Sequence, residues 1–101
     1  MERERDIENY MKRQLSDLGC LFLKWVSPGN DGVPDRILIM PTGGIVFVEV
    51  KTEKGRMSGL QQVWQRTLKE HNCSVITVYG KSGADDLIGV VRVLLGGRHG
   101  V

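Results

Sequence analysis

Val33-Pro34-Asp35-Arg36-Ile37-Leu38-Ile39-Met40-Pro41-Thr42-Gly43-Gly44-Ile45-Val46-Phe47-Val48-Glu49-Val50-Lys51 is the stretch that decides the fold. Two apolar runs, rich in β-branched and aromatic residues, flank a Pro-Thr-Gly-Gly turn, which predicts strands over 35–40 and 45–51. Joined so closely, they pair as an antiparallel hairpin. If Pro41-Thr42-Gly43 forms a three-residue loop, Met40 faces Gly44 and every opposed pair has an index sum of 84. Asp35 then lies opposite Glu49, on the same face of the sheet, with Cβ atoms about 4.5–5.5 Å apart. A two-residue turn would shift this register by one and separate the two carboxylates. Lys51, two residues beyond Glu49, points to the same side.

Working outward, Ile7, Met11, Leu15 and Leu18 recur at helical spacing, and Gly19 stops the first helix. Leu21–Val26 reads as a short strand. Ser27-Pro28-Gly29-Asn30-Asp31-Gly32 is dense in turn formers and reads as a loop leading into Asp35. After a loop over 54–57, Ser58 opens a second helix, three residues before Gln61 in a capping-box pattern. Leu60, Val63, Trp64, Thr67, Leu68 and His71 are its expected buried stripe, with Trp64 as core. Ser74–Tyr79 reads as a fourth strand, Lys81-Ser82-Gly83 as a loop, and Ala84–Leu95 as a last helix weakened by Gly89. The expected order is α-β-β-β-α-β-α, one domain over 1–95 with a tail over 96–101.

The 101 residues suit one compact domain. With 41% hydrophobic and 26% charged residues the composition is that of an ordinary globular chain. Fourteen basic and twelve acidic residues leave a net charge of +2, which permits nucleic-acid binding without arguing for it. The charged start is followed by no apolar run of signal-peptide kind, and Ile37–Met40 and Ile45–Val48 are far too short to span a bilayer, so a cytoplasmic protein with no membrane contact is expected. Cys20 and Cys73 read as thiols. Together with His71 and His99 they match no common zinc spacing.

Two facing carboxylates repel, and a divalent cation with oxygen ligands relieves the repulsion. Mg²⁺ is commonly held by one or two carboxylates together with a substrate phosphate. Lys51 would orient a water or stabilise charge developing on a phosphate. Alone, Glu49-Val50-Lys51 reads as a strand salt bridge. The hairpin, by adding Asp35, makes it a candidate site for phosphodiester hydrolysis.

Pro34-Asp35 followed by Glu49-Val50-Lys51 resembles the PD-(D/E)xK nuclease motif. The stretch from Ser27 to Arg36, the Phe47–Lys51 strand, and Leu60-Gln61 opening a helix with Trp64 resemble the VRR-NUC family within that superfamily, over about Glu4 to Tyr79. The resemblance implies an α/β, restriction-endonuclease-like αβββαβ core with a mixed four-stranded sheet flanked by helices. It implies Mg²⁺, with Mn²⁺ substituting, held by Asp35, Glu49 and the Val50 main-chain carbonyl, a catalytic Lys51, and a glutamate from the first helix. Glu8 is the choice for that glutamate and Glu4, one turn earlier, the alternative. Gln61 matches a glutamine that hydrogen-bonds near the active site. Its other reading is capping of Ser58, and one rotamer is expected to serve only one of the two.

Lys24, Arg36, Lys54 and Arg56 flank the site as candidate phosphate contacts, and no helix offers an evident base-reading face. The expected activity is therefore structure-specific or weakly specific cleavage of DNA. Stand-alone members of the family resemble Holliday-junction resolvases, so the resemblance further implies a homodimeric endonuclease with four-way (Holliday) junctions as substrate and no small-molecule cofactor. Flap or single-strand cleavage is the alternative, and a non-catalytic DNA-binding module a further one. So small a stand-alone domain suits a phage or mobile element.

Overall fold

The computed structural model describes residues 2–96. Its elements are α1 (Glu4–Asp17), β1 (Leu21–Lys24), β2 (Arg36–Ile39), β3 (Ile45–Lys51), α2 (Gly59–Glu70), β4 (Ser74–Tyr79) and α3 (Gly80–Gly96). The four strands form one mixed sheet in the order β1-β2-β3-β4. The β1–β2 and β2–β3 pairs are antiparallel and β3–β4 is parallel. A parallel neighbour needs a crossover, and α2 supplies it.

The hairpin pairs Arg36 with Val48, Ile37 with Phe47, Leu38 with Val46 and Ile39 with Ile45, all at an index sum of 84. The turn explains the register. Gly43 N–H donates to the Met40 carbonyl at 2.7 Å and Met40 N–H to the Gly44 carbonyl at 2.8 Å. Gly43 takes φ +93°, which costs a glycine little.

Strand alternation then sorts the side chains. Phe22, Leu38, Val48, Val50 and Val78 face α1 and α3, where they pack with Ile7, Met11, Leu15, Ala84, Ile88, Val91 and Leu95. Burying each large aliphatic side chain is worth about 1.5–3 kcal/mol. At the surface the Tyr10 hydroxyl donates to Asp85, and Lys81 Nζ lies 3.3 Å from Asp85 and 4.7 Å above the Tyr10 ring, pinning α1 to α3.

Glu49, Lys51, Val75 and Thr77 face the other way, toward α2. There the Gln65 amide donates to the Thr77 hydroxyl, which donates to Met57 Sδ at 3.5 Å. The β1–β2 half of this face stays open among the described residues. Leu21, Leu23 and Ile45 are exposed on it. Trp25 packs against Phe47 there, ring centroids 4.9 Å apart.

Four expectations need correction. β1 ends at Lys24, although Trp25 N–H still donates to the Asp35 carbonyl at 2.8 Å. β2 starts at Arg36, leaving Asp35 just ahead of the ladder. The last helix begins at Gly80, so 81–83 is helical, and it runs through Gly89 to Gly96 because Ala84, Ile88, Val91 and Leu95 lock one face into the core. The rest of the expected tail, 97–101, lies outside the described residues. The largest difference is α2. Leu60 and Val63 are 55% and 43% exposed, His71 is exposed, and Trp64, Thr67 and Leu68 are half-buried. Polar Gln61 and Gln65 point inward instead, because the sheet positions under α2 carry Glu49 and Thr77.

No helix of the described residues is long and apolar enough to cross a membrane.

Candidate active site

Pro34, fully buried, leads the chain into Asp35. The Trp25 hydrogen bond holds the Asp35 main chain against the end of β1. One further step of the β2–β3 register sets Asp35 opposite Glu49. β3 carries Glu49 beneath the first turn of α2, where at 1% exposure it is the most deeply buried polar side chain among the described residues.

Burial first, and then the neighbouring Asp35 carboxylate, push the Glu49 carboxyl up to about 8, with Lys51 opposing the shift and Glu4 adding a smaller upward push. Lys51 Nζ lies 3.6 Å from Glu49 Oε2 and is 11% exposed. Glu49 Oε1 is buried without a hydrogen-bond partner. A buried carboxylate oxygen in that condition is costly.

Gln61 reaches the same carboxylate. Its Nε2 donates to Glu49 Oε2 at 3.1 Å. Its Oε1 accepts from Ser58 N–H at 2.8 Å, while its own N–H donates to Ser58 Oγ at 3.1 Å. One rotamer therefore caps the helix and holds the glutamate, against the expectation that it would serve only one. The two ends of the amide do different work, and each fixes the orientation of the other.

The first-helix carboxylates divide differently from the expectation. Glu8 Oε2 is 3.0 Å from Arg36 Nε, and both side chains are largely covered. Arg36 also lies 5.8 Å above the Phe22 ring, on the α1 side of the sheet. Glu8 is thus engaged away from Asp35, and Arg36 is not presented as a phosphate contact. Glu4 is the α1 carboxylate whose charge reaches Glu49. The Val50 side chain is fully buried in the core, so only its main chain could serve the site. Lys24, Lys54 and Arg56 are exposed.

Among the described residues, no three His, Cys, Asp or Glu side chains converge to enclose a metal. The Asp35–Glu49 pair, with its one unpartnered buried oxygen, suits a hard cation that keeps part of its water shell. Cys20 is buried, Cys73 is half-buried, and His99 lies outside the described residues.

One contact escaped the sequence reading. A Cβ on Gly32 would fall 2.7 Å from both the carbonyl carbon and Cβ of Leu60 and 2.9 Å from its carbonyl oxygen. The 27–34 loop is therefore seated on the first turn of α2, one residue from Gln61. Glycine-rich composition signalled a turn there, but nothing local signalled its partner.

Two facing carboxylates and a lysine on one sheet face, within an αβββαβ frame, define a restriction-endonuclease-like domain. The VRR-NUC domain model matches residues 5–82, and the chain belongs to that family. A solved VRR-NUC domain structure superposes with a TM-score of 0.81 at 30% identity, over 88% of this chain and 97% of that one. The protein p44 of Acyrthosiphon pisum secondary endosymbiont phage 1, named as a nuclease, is 45% identical over 49 residues, 48% of this chain. The matched part spans 53% of p44, about half its length.

Proposed function

We propose that the protein is a Mg²⁺-dependent endonuclease of branched DNA, with Mn²⁺ able to substitute and the four-way junction as its preferred substrate. The observation that carries this reading is the buried Glu49, facing Asp35 with an unpartnered oxygen and flanked by Lys51 and Gln61. The family membership and the nuclease name of the phage relative support it.

Asp35, Glu49 and the Val50 carbonyl would hold the cation, which when bound polarises the phosphate and lowers the pKa of a coordinated water. Lys51 Nζ holds the attacking water and stabilises the charge that develops as the new O–P bond forms and the ester P–O bond breaks. Gln61 keeps the Glu49 carboxylate aimed at the site.

A homodimer fits the open half of the sheet. Leu21, Leu23, Ile37, Ile39, Ile45 and Phe47 form an apolar face without a charged side chain, which a two-fold related copy can cover with its own. Paired sites suit paired cuts in a four-way junction. Leu23→Glu should convert a dimer to a monomer by light scattering. An unchanged dimer would remove this face from consideration.

The activity is tested with labelled four-way junction, flap, duplex and single-stranded DNA, incubated with Mg²⁺, Mn²⁺ or EDTA. Metal-dependent cutting, fastest on the junction and abolished by Asp35→Asn, is expected. Cutting unaffected by Asp35→Asn, or no cutting of any substrate, would overturn the proposal.

A further inference from the structure

We propose that the groove beside α2, lined by Met57, Gln62, Gln65, Arg66, Lys69 and Glu70, carries the phosphodiester backbone of the DNA strand as it leaves the active site. This rests on the reading of the protein as a DNA nuclease and assigns it a second binding surface.

The position of the groove comes first. Its volume is about 560 Å³ and it opens at Met57, next to Ser58, the cap of α2. Gln62, which hydrogen-bonds the Met57 carbonyl at 3.4 Å, directly follows Gln61, the residue holding Glu49. The loop that leads in from Lys51 contributes Lys54 and Arg56, both exposed. A strand cut beside Glu49 and continuing along α2 meets these groups in succession.

Charge points the same way. Residues 52–70 contain four basic and two acidic side chains, and the rest of the chain is balanced, so this segment accounts for the whole net charge of +2. Gln62, Arg66 and Lys69 sit at i, i+4 and i+7, one row of the helix. Among the described residues none of Lys54, Arg56, Arg66 and Lys69 makes an ion pair. The groove floor, Met57 and Gln65, is uncharged, and Glu70 marks its far end.

Spacing is compatible. Arg66 and Lys69 are separated by a rise of about 4.5 Å along the helix. Successive phosphates of one B-form strand are about 3.4 Å apart along the duplex axis. The two long side chains can therefore meet neighbouring phosphates. Such contacts hold a backbone and read no sequence, which suits recognition by DNA shape.

A second groove of similar size, about 570 Å³, provides an internal control. It is lined by Asn9, Lys12, Arg13, Ser16 and Asp17 on α1, which covers the opposite face of the sheet from Glu49. It has two basic residues as well, but no continuity with the site.

The test measures binding by fluorescence anisotropy against salt, between about 50 and 200 mM. The probes are a labelled four-way junction and a labelled oligonucleotide. All variants are built on Asp35→Asn, which leaves the DNA intact. Each phosphate contact contributes about 0.9 to the slope of log affinity against log salt on duplex and about 0.7 on single strands. Arg66→Gln with Lys69→Gln should lower the slope by about 1–2, and Arg66→Lys with Lys69→Arg should retain it. Lys12→Gln with Arg13→Gln should leave it unchanged. An unchanged slope for the α2 pair, or an equal fall for the α1 pair, overturns the inference. If the parent protein cuts DNA while the α2 slope is unchanged, this inference fails and the nuclease reading stands. If the parent cuts no DNA and the Asp35→Asn protein binds none, both fail.

Discussion

Replacing Gly32 with alanine tests whether the 27–34 loop sets the geometry of the site through α2. Two costs add. At φ +96° a Cβ is strained, by about 1–2 kcal/mol in the left-handed region. The new Cβ would also sit 2.7 Å from the Leu60 carbonyl carbon, where ordinary carbon contacts lie near 3.5–4.0 Å. The neighbour is helix backbone and cannot swing aside like a side chain. Overpacking of this kind costs about 1–3 kcal/mol. The sum is about 2–5 kcal/mol, reduced by the roughly 0.4–1 kcal/mol that alanine gains by restricting the unfolded chain.

Gly29 isolates the second cost. It lies in the same loop at φ +82°, with nothing within 4 Å of its would-be Cβ. Gly29→Ala should therefore cost only about 1 kcal/mol, against the larger loss for Gly32→Ala, by urea denaturation with an unchanged m-value. Relief of the Leu60 contact must displace either the loop, and with it Asp35, or the helix turn, and with it Gln61. Cleavage should then fall at least tenfold for Gly32→Ala, as a geometric misplacement in an active site does, and little for Gly29→Ala. If the two variants match in both stability and cleavage, the loop–helix contact has no role beyond backbone conformation.

The remaining predictions concern the carboxylates and their partners. Glu49 ionises near 8 in the folded protein against an ordinary 4.5, so its contribution to stability is complete below about 4.5 and is lost as pH rises through 8. Metal-free protein should lose stability over that window, by at most about 5 kcal/mol at roughly 1.4 kcal/mol per unit, and Glu49→Gln should flatten the profile. A metal-free denaturation curve insensitive to pH would contradict the burial argument. Ser58→Ala removes only a cap and should cost about 1 kcal/mol while cleavage persists, whereas Gln61→Ala should lose a similar stability and also cleavage; equal activities would show the Gln61–Glu49 bond to be idle. Glu4→Gln should weaken metal-dependent cleavage more than Glu8→Gln, whose main effect should be the stability lost with the Arg36 pair, read by parallel cleavage and unfolding assays. The opposite ranking would return the metal-side role to Glu8.

Part of this protein is legible in its sequence because it is local in the chain. The Pro-Thr-Gly-Gly turn dictates a three-residue hairpin, and that register places Asp35 against Glu49 and Lys51 beside it on one face. The Ser58–Gln61 spacing marks the start of α2, and the apolar rows of α1 and α3 mark which faces go inward. Only the tertiary structure decides matters that depend on what a helix meets across the molecule. Periodicity shows that α2 has an apolar row in Leu60 and Val63, but the sheet beneath it offers Glu49 and Thr77, so Gln61 and Gln65 turn inward and the apolar row remains half-exposed. Glu4 and Glu8 are equivalent one turn apart on a helix until Arg36, twenty-eight residues away, pairs with Glu8. Asp35, Glu49 and Lys51 were brought together by a turn; their surroundings were set by contacts between elements, which no short stretch of sequence encodes.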